Sequence, residues 1–246
     1  MQKAEYARMR DLEDHYWWFV SRRRLALNLL DRFSTTGPTL DVGCGTGAVL
    51  AELQKQGEAF GVDLSGTALE FAAERGLVNL VKADAQALPF VGETFQSVVS
   101  LDTLEHVPDD QAAAREIARI LKPGGVAVIN VPAFRWLWGP HDVALMHCRR
   151  YTRRQLKDLL EGAGLKVEKA SYGVFFLFPV VGLIRIADRV GRRKPEVVLP
   201  PVQAWLNRLL TSLMSLEEKV IPGVGLPWGS SVVAIARKPL PGPPNR

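Results

Sequence analysis

Five short, β-branched apolar runs alternate with helical stretches along the middle of the chain, and this alternation restricts the fold more than any other feature. The runs cover residues 39–42, 59–63, 78–83, 95–100 and 126–131. They are apolar on both faces, which is typical of strands buried in a parallel sheet. Helical patterns occupy residues 48–56, 66–74 and 109–121, with Ser65 and Asp109 as N-caps. The order predicts an open, doubly wound α/β sheet.

The chain extends beyond this repeat at both ends. Residues 2–33 have a helical pattern, and sixth and seventh strands are predicted over residues 166–172 and 231–237. We therefore expect a mostly parallel seven-stranded sheet with a helical insertion before the last strand. The predicted parts are an N-terminal helical lid segment (1–38), a core (39–172), a helical insertion or cap (173–228), the last strand of the core (229–238) and a flexible tail (239–246).

Composition indicates the class of protein. With 246 residues, 47% of them hydrophobic and 23% charged, the chain is long enough to bury a sizeable core. Its two cysteines, Cys44 and Cys148, cannot form a disulfide scaffold. Residues 1–14 lack the apolar stretch of a secretory signal, and the longest apolar run, 174–184, is shorter than the ~18–20 residues that span a bilayer. We expect a cytoplasmic protein, with membrane association left open.

The first strand runs directly into a glycine-rich segment, Leu-Asp-Val-Gly-Cys-Gly-Thr-Gly. Gly43, Gly45 and Gly47 let the backbone approach a ligand at the carboxyl edge of the sheet. The second strand ends in Asp63, whose carboxylate is placed to accept hydrogen bonds from ribose hydroxyls. The third glycine comes one residue earlier than in a dinucleotide fingerprint, and Asp41 suits an ammonium group better than a phosphate. These features predict a nucleoside site and disfavour an NAD-dependent oxidoreductase.

Five motifs follow one another between residues 39 and 172: Leu-Asp-Val-Gly-Cys-Gly-Thr-Gly, Gly-Val-Asp-Leu-Ser, Ala-Asp-Ala-Gln-Ala-Leu-Pro-Phe, Leu-Asp-Thr-Leu-Glu-His-Val and Leu-Lys-Pro-Gly-Gly. Because it carries these motifs in this order, the chain resembles the class I S-adenosylmethionine-dependent methyltransferases of the bacterial small-molecule type. The resemblance implies a Rossmann-like fold, S-adenosyl-L-methionine as cofactor, and methyl transfer to an O, N or C nucleophile of a small or lipid-linked acceptor.

The same resemblance implies a set of cofactor-binding residues. The methionine part would lie against Asp41 and the glycine backbone, the ribose against Asp63, and the adenine against Asp84 and Ala85. Residues after the fourth strand would border the sulfonium, and an aromatic N-terminal helix would cover the cofactor. The predicted set is Asp41, Gly43, Cys44, Gly45, Gly47, Asp63, Leu64, Asp84, Ala85, Leu101, Asp102, Trp18 and Arg22.

The segment after the fifth strand, residues 132–151, is dense in aromatic, histidine and arginine residues. Its tryptophans can wall an apolar acceptor, a histidine can act as base, and an arginine can fork onto a carboxylate or phosphate. The candidate acceptor residues are Trp136, Trp138, Arg149, Arg150 and Tyr151, and the candidate bases are His141, His147 and His106. The alternative is that the tryptophans pin the loop to the core, the His–Asp pair caps a turn, and His106 makes a helix-entry hydrogen bond.

No catalytic metal is expected from the sequence. His141, Asp142 and His147 offer donor atoms but lack the i, i+4 spacing of a helical zinc site. The sequence pI of 9.4 raises the alternative of a nucleic-acid methyltransferase. That alternative is disfavoured because Leu-Asp-Thr-Leu-Glu-His follows the fourth strand in place of an Asn-Pro-Pro-Tyr-like or Pro-Cys motif, so no nucleic-acid partner is expected. A non-catalytic S-adenosylmethionine-binding subunit is a second alternative, disfavoured by the presence of Asp63 and Asp84.

The insertion contains two apolar helical candidates. The first is apolar all round and is followed by a basic cluster, Arg185, Arg189, Arg192, Arg193 and Lys194. The second places one apolar stripe along a helix: Val202, Trp205, Leu206, Leu209, Leu210, Leu213 and Met214. We expect a cap facing the acceptor with weak affinity for anionic membranes through residues 173–220. A homodimer seam and an ordinary packed cap stay open.

Overall fold

The computed structural model describes residues 3–191 and 201–242, and a seven-stranded sheet forms its centre. The strands are β1 Thr39–Val42, β2 Ala59–Asp63, β3 Leu80–Lys82, β4 Phe95–Leu101, β5 Leu121–Pro132, β6 Lys166–Gly173 and β7 Ser231–Arg237. Their order in the sheet is β3-β2-β1-β4-β5-β7-β6, and β7 pairs antiparallel with both neighbours while the other pairings are parallel. The predicted fold class is confirmed.

The described helices are α1 Lys3–Leu12, α2 Trp17–Phe33, α3 Ala48–Gln56, α4 Gly66–Glu74, α5 Asp110–Ile120, α6 Pro140–Ala144, α7 Arg153–Gly162, α8 Phe178–Val190 and α9 Ala204–Val220. Side chains cap three of them, and the sequence predicts the first two of these caps. Ser65 caps α4, Asp109 caps α5, and Thr152 with Gln155 forms a capping box on α7.

Two apolar layers cover the sheet. One face packs against α2 and α3 through residues such as Leu29 and Leu50, and the other packs against α5 and α7 through Ile117 and Leu156. From β1 the chain first adds strands outward and then returns to place β4 on the other side of β1. This reversal opens a crevice at the carboxyl ends of β1 and β4, where ligands bind in open α/β sheets.

Some predicted boundaries differ from the structure. The predicted helical segment 2–33 is two helices, because the chain turns out of the helix between Glu13 and Tyr16, whose backbone is extended. β3 is shorter than predicted, and β5 starts at Leu121, before the glycine pair, because its pairing with β4 continues through a bulge.

The insertion forms α8 and α9, and α9 packs against α2. Asn207 fixes this packing by accepting from the amide of Trp17 (2.8 Å) and donating to the carbonyl of His15 (2.8 Å). Met214 and Glu217 are therefore buried, whereas Trp205 and Leu209 of the predicted apolar stripe are exposed. The predicted apolar stripe is thus buried at Met214 and exposed at Trp205 and Leu209.

Some predictions fall outside the described residues: the basic side chains of Arg189, Arg192, Arg193 and Lys194, and the end of the predicted tail, 243–246. Within residues 3–191 and 201–242, no helix is long and apolar enough to cross a bilayer.

Candidate functional site

A cavity of about 1700 Å³ opens at the carboxyl ends of β1, β2 and β4. Pockets for single small molecules are usually about 300–1,000 Å³. Its floor is the glycine-rich turn after β1, one wall comes from α1 and α2, and the opposite wall comes from the segment around α6 and from α8. The cavity is therefore large enough for two ligands at once.

The glycine-rich turn has a backbone that other residues rarely adopt. Gly43, Gly45 and Gly47 have φ of 77°, 55° and 88°, in the left-handed region that favours glycine. A Cβ on Gly43 would also overlap the Thr103 side chain, and one on Gly47 would overlap Leu77. The turn leads straight into α3; Gly43, Gly45 and Ala48 line the cavity, whereas Gly47 packs against Leu77 and does not.

Three carboxylates that the sequence predicts to converge do line the cavity. Asp63 accepts hydrogen bonds from the amides of Gly45 (2.9 Å) and Ser65 (2.8 Å), which ties the end of β2 to the glycine turn. Both oxygens of Asp84 accept from the Gln86 side chain. Burial raises the pKa of Asp63.

Asp41 is the carboxylate with unused hydrogen-bonding capacity. It is 2% exposed, and within the described part of the chain its Oδ2 has no hydrogen-bond partner. Burial, together with the neighbouring Asp63 charge, raises the pKa of Asp41 to about 8. A buried acceptor without a donor is costly, so this position fits a ligand that brings an N–H or cationic group.

The other predicted cofactor residues also line the cavity: Cys44, Leu64, Ala85, Leu101, Asp102, Trp18 and Arg22. Arg22 forms an ion pair with Asp102, and its guanidinium lies 5.0 Å from the Trp18 ring centroid. Asp102 has a φ of 50° and accepts from the Asn130 side chain (3.0 Å). Burial raises the pKa of the Cys44 thiol, which keeps it neutral.

The first helix lies over the glycine turn, held by a cluster that the sequence does not reveal. Glu13, 4% exposed, accepts from the Thr46 hydroxyl (2.6 Å) and pairs with Arg75. Arg75 also donates to the Thr46 carbonyl (2.8 Å). We call Glu13, Thr46 and Arg75 the Glu13 cluster; Glu13 and Arg75 are 62 residues apart, and no local pattern links them.

The three candidate bases also line the cavity. Burial lowers the pKa of His106 and of His141 to about 4, so both imidazoles are neutral near pH 7. The Nδ1 atom of His147 lies 2.9 Å from Oδ1 of the buried Asp142. Burial alone would raise the pKa of Asp142, but hydrogen bonds from His147 and Arg150 hold it well below its usual range.

Of the five predicted acceptor residues, four lie away from the lining of the cavity. Arg150 lines the cavity, but its guanidinium already forks onto Asp142 (2.7 and 3.0 Å). Trp136, Trp138, Arg149 and Tyr151 do not line the cavity.

Internal contacts account for these positions. Trp136 stacks on Phe134 and meets Phe178 edge-on, because Phe134, with φ of 53°, turns the chain toward α8. Arg149 pairs with Asp110 (2.6 Å), and the Tyr151 hydroxyl donates to the same carboxylate (2.8 Å).

Glu105 also lines the cavity. It is absent from the residues predicted from the sequence, although it directly precedes His106 in the Leu-Asp-Thr-Leu-Glu-His-Val motif. It is 0% exposed, and neither carboxylate oxygen has a hydrogen-bond partner among the described residues. Burial raises its pKa to about 8. Ligand atoms of Glu105, His106 and His147 all lie within 4.8 Å of one another.

The insertion contributes the outer wall. Val181, Ile184 and Arg185 of α8 line the cavity, and Arg185 pairs with Asp188 (3.2 Å). The part of the insertion before residue 192 therefore faces the space beside the histidines.

Comparisons with known proteins agree with this geometry. Residues 40–129 match the model of a family described as a methyltransferase domain. Over 140 residues, 51% of this chain, the sequence is 36% identical to a demethylmenaquinone methyltransferase of Staphylococcus aureus, and the match spans 56% of that relative's length. The chain thus spans little more than half of the curated relatives that it matches.

Two solved structures cover nearly the whole chain. A methyltransferase in complex with the Haloferax volcanii Trm112 methyltransferase activator is 21% identical, with a TM-score of 0.63, over 98% of this chain and 96% of that one. A SAM-dependent methyltransferase from Thermotoga maritima is 21% identical, with a TM-score of 0.61, over 96% and 95%. At these identities the likeness establishes the fold.

Proposed function

Because the chain contains a class I S-adenosylmethionine-dependent methyltransferase domain, we propose that it transfers the methyl group of S-adenosyl-L-methionine to an O, N or C nucleophile of a small or lipid-linked acceptor. The observation that carries this proposal is the convergence of Asp41, Asp63 and Asp84 with the glycine turn on one cavity. That cavity has room for a second ligand beside the cofactor.

The residues present fit this cofactor. The unpartnered oxygen of Asp41 would receive its ammonium group, Asp63 the ribose hydroxyls, and the Asp84–Ala85 segment the adenine edge. The left-handed glycines would let the backbone approach it closely. When bound, S-adenosylmethionine supplies a methyl group on a positively charged sulfur, open to in-line displacement by a nucleophile.

The protein's part is to align the acceptor and exclude water. The α1 helix covers the glycine turn, and α8 covers the acceptor side. The neutral imidazole of His141 can accept a proton from an O–H or N–H acceptor. We assign Trp136, Arg149 and Tyr151 to holding the acceptor wall in place rather than to contacting the acceptor.

An apolar acceptor is favoured by the wall that faces the histidines. Val181 and Ile184 contribute aliphatic surface there, beside Leu145 and Met146. A small-molecule acceptor is also supported by the relative named demethylmenaquinone methyltransferase. Exposed apolar residues on α8, with Leu183 67% exposed, support a lipid-linked acceptor reached from a membrane surface; a homodimer seam would use the same face.

The test combines binding with turnover. Calorimetry with S-adenosylmethionine and S-adenosylhomocysteine should give micromolar affinities, and a panel of quinol, phenol, amine and lipid-linked acceptors should yield S-adenosylhomocysteine with at least one class. Binding without turnover on any acceptor would favour the non-catalytic binding subunit. Absence of binding would overturn the proposed function.

A further inference from the structure

We propose that Glu105, His106 and His147 bind one divalent first-row transition-metal ion, of the Zn²⁺ or Fe²⁺ kind, on the acceptor side of the cavity. Two imidazoles and one carboxylate are a donor set that these ions accept. The three ligand atoms lie within 4.8 Å of one another, and all three residues line the cavity. This proposal replaces the expectation, drawn from sequence spacing, that no metal is used.

The backbone brings the three ligands together from two separate segments. Glu105 and His106 lie in the 3-10 turn Leu104–His106 after β4, and His147 follows α6. The amide of Cys148 donates to the Glu105 carbonyl (2.7 Å), which joins the two segments beside the ligands. The His106 and His147 rings meet edge-on, with centroids 4.6 Å apart. The donors are thus placed by the fold itself.

The His147 ring is held by a neighbouring carboxylate. The Nδ1 of His147 bonds to Asp142, and Asp142 is itself held by the fork of Arg150. Metal-ligating histidines almost always donate their second nitrogen to a carboxylate or carbonyl in this way. The other ring nitrogen of His147 and one ring nitrogen of His106 would bind the ion.

Glu105 supplies a buried carboxyl group whose ionised form a cation would stabilise. Its carboxylate is fully buried, and neither oxygen has a hydrogen-bond partner in the described part of the chain. The nearby cations Arg22 and Arg150 already pair with carboxylates of their own. A buried carboxylate without a partner is strongly unfavourable. A divalent ion held with the two histidines removes that penalty.

With three protein ligands, a bound ion would have a further coordination position for an acceptor, as in catalytic zinc sites. An acceptor hydroxyl could coordinate there through its oxygen, and the metal would lower the pKa of that hydroxyl. The proton would pass to solvent, and the oxygen would remain as the nucleophile. This use rests on the proposed function, whereas metal binding itself does not.

The test uses the full chain after treatment with a chelator and dialysis. Titration with Co²⁺ should give visible d–d absorption that saturates at one ion per chain, and Zn²⁺ should displace it. Glu105→Gln and His147→Ala should each weaken binding at least 10-fold, and Asp142→Asn should weaken it by 10-fold to 100-fold through His147. His15→Ala, which removes an exposed histidine elsewhere, is the matched control and should bind normally.

Circular dichroism establishes that each variant is folded. If His147→Ala does not fold, Glu105→Gln still tests the proposal, because it preserves the side-chain volume. No Co²⁺ binding, or equal binding by the Glu105→Gln, His147→Ala and His15→Ala variants, would overturn the proposal. S-adenosylmethionine binding is measured by calorimetry on the same metal-free protein. Loss of cofactor binding alone would refute the proposed function and leave the metal site standing.

Discussion

The hydrogen bonds of Asp63 and its position in the cavity both bear on cofactor binding. Its carboxylate holds the amides of Gly45 and Ser65, and its cavity position fits ribose hydroxyls. Asp63→Ala should therefore weaken S-adenosylmethionine and S-adenosylhomocysteine alike, by about 1.5–3 kcal/mol, the range for hydrogen bonds to a charged group. Calorimetry checks this, with Asp31→Ala on the exposed face of α2 as control. Unchanged affinity in Asp63→Ala would contradict the ribose assignment.

Asp41 is expected to make the ligand-free protein less stable as pH rises. Its pKa is about 8 in the folded chain against an ordinary 3.8. Between these values the folded state holds a proton that the unfolded state has lost, so the free energy of unfolding falls with pH and levels off above pH 8. The slope is at most about 1.4 kcal/mol per pH unit for one group.

Urea unfolding from pH 5 to 8.5, without cofactor, measures this slope. Asp41→Asn should flatten it and should be more stable than the parent chain at pH 8, because it buries no carboxylate. Glu105 shifts in the same direction and leaves a residual slope. An equally steep slope in Asp41→Asn would show that Asp41 titrates normally.

At the scale of elements, α1 is attached to the core mainly through polar groups. It buries only Tyr6 within its own length, and the Glu13 cluster lies just after its end. A buried ion pair that loses one partner leaves an uncompensated charge, at a cost of about 3–5 kcal/mol. The cluster therefore decides whether α1 stays over the glycine turn.

Arg75→Met should free this helix. We expect faster hydrogen exchange over residues 3–14 and faster dissociation of S-adenosylmethionine, by about 10-fold or more, with the sheet unaffected. Arg115→Met is the matched control, because Arg115 is exposed and its ion pair with Asp109 is long, at 3.9 Å. Exchange mass spectrometry and stopped-flow dissociation give the two readouts. Equal exchange in both variants would mean that apolar packing alone holds α1.

At the scale of the whole molecule, the apolar surface is unevenly distributed. Val180, Leu183 and Ile186 of α8 are 53%, 67% and 55% exposed, on the helix that also walls the cavity. Exposed apolar groups on one helix indicate a contact surface. We expect weak pelleting with anionic vesicles at low salt and less at high salt, since the electrostatic part is screened.

Leu183→Glu should reduce this pelleting several-fold. Val91→Glu, on an exposed loop away from α8, changes the same charge and should pellet like the parent chain. Sedimentation with anionic and neutral vesicles measures both. If the parent chain pellets with neither vesicle at low salt, the insertion is a cap or a dimer seam and the membrane contact is refuted.

The succession of strands and helices along the chain, the glycine turn and the acidic residues of β1 and β2 could all be predicted from the sequence, because each depends on periodicity or covalent adjacency. Asp41 lies in β1 and Asp63 ends β2, and the carboxyl ends of parallel strands lie at one edge of the sheet. Cap residues such as Thr152 are likewise local, since a cap bonds to the next helical turn. These features need no knowledge of distant contacts.

Tertiary structure alone decided which polar groups meet. Arg75 reaches Glu13 across 62 residues, and His147 joins Glu105 from a separate segment. Arg150, which the sequence predicts to bind an acceptor, instead donates both hydrogen bonds of its fork to Asp142. Periodicity predicts the face that a residue occupies, but pairing depends on distances between segments and on burial, which only the packed chain sets.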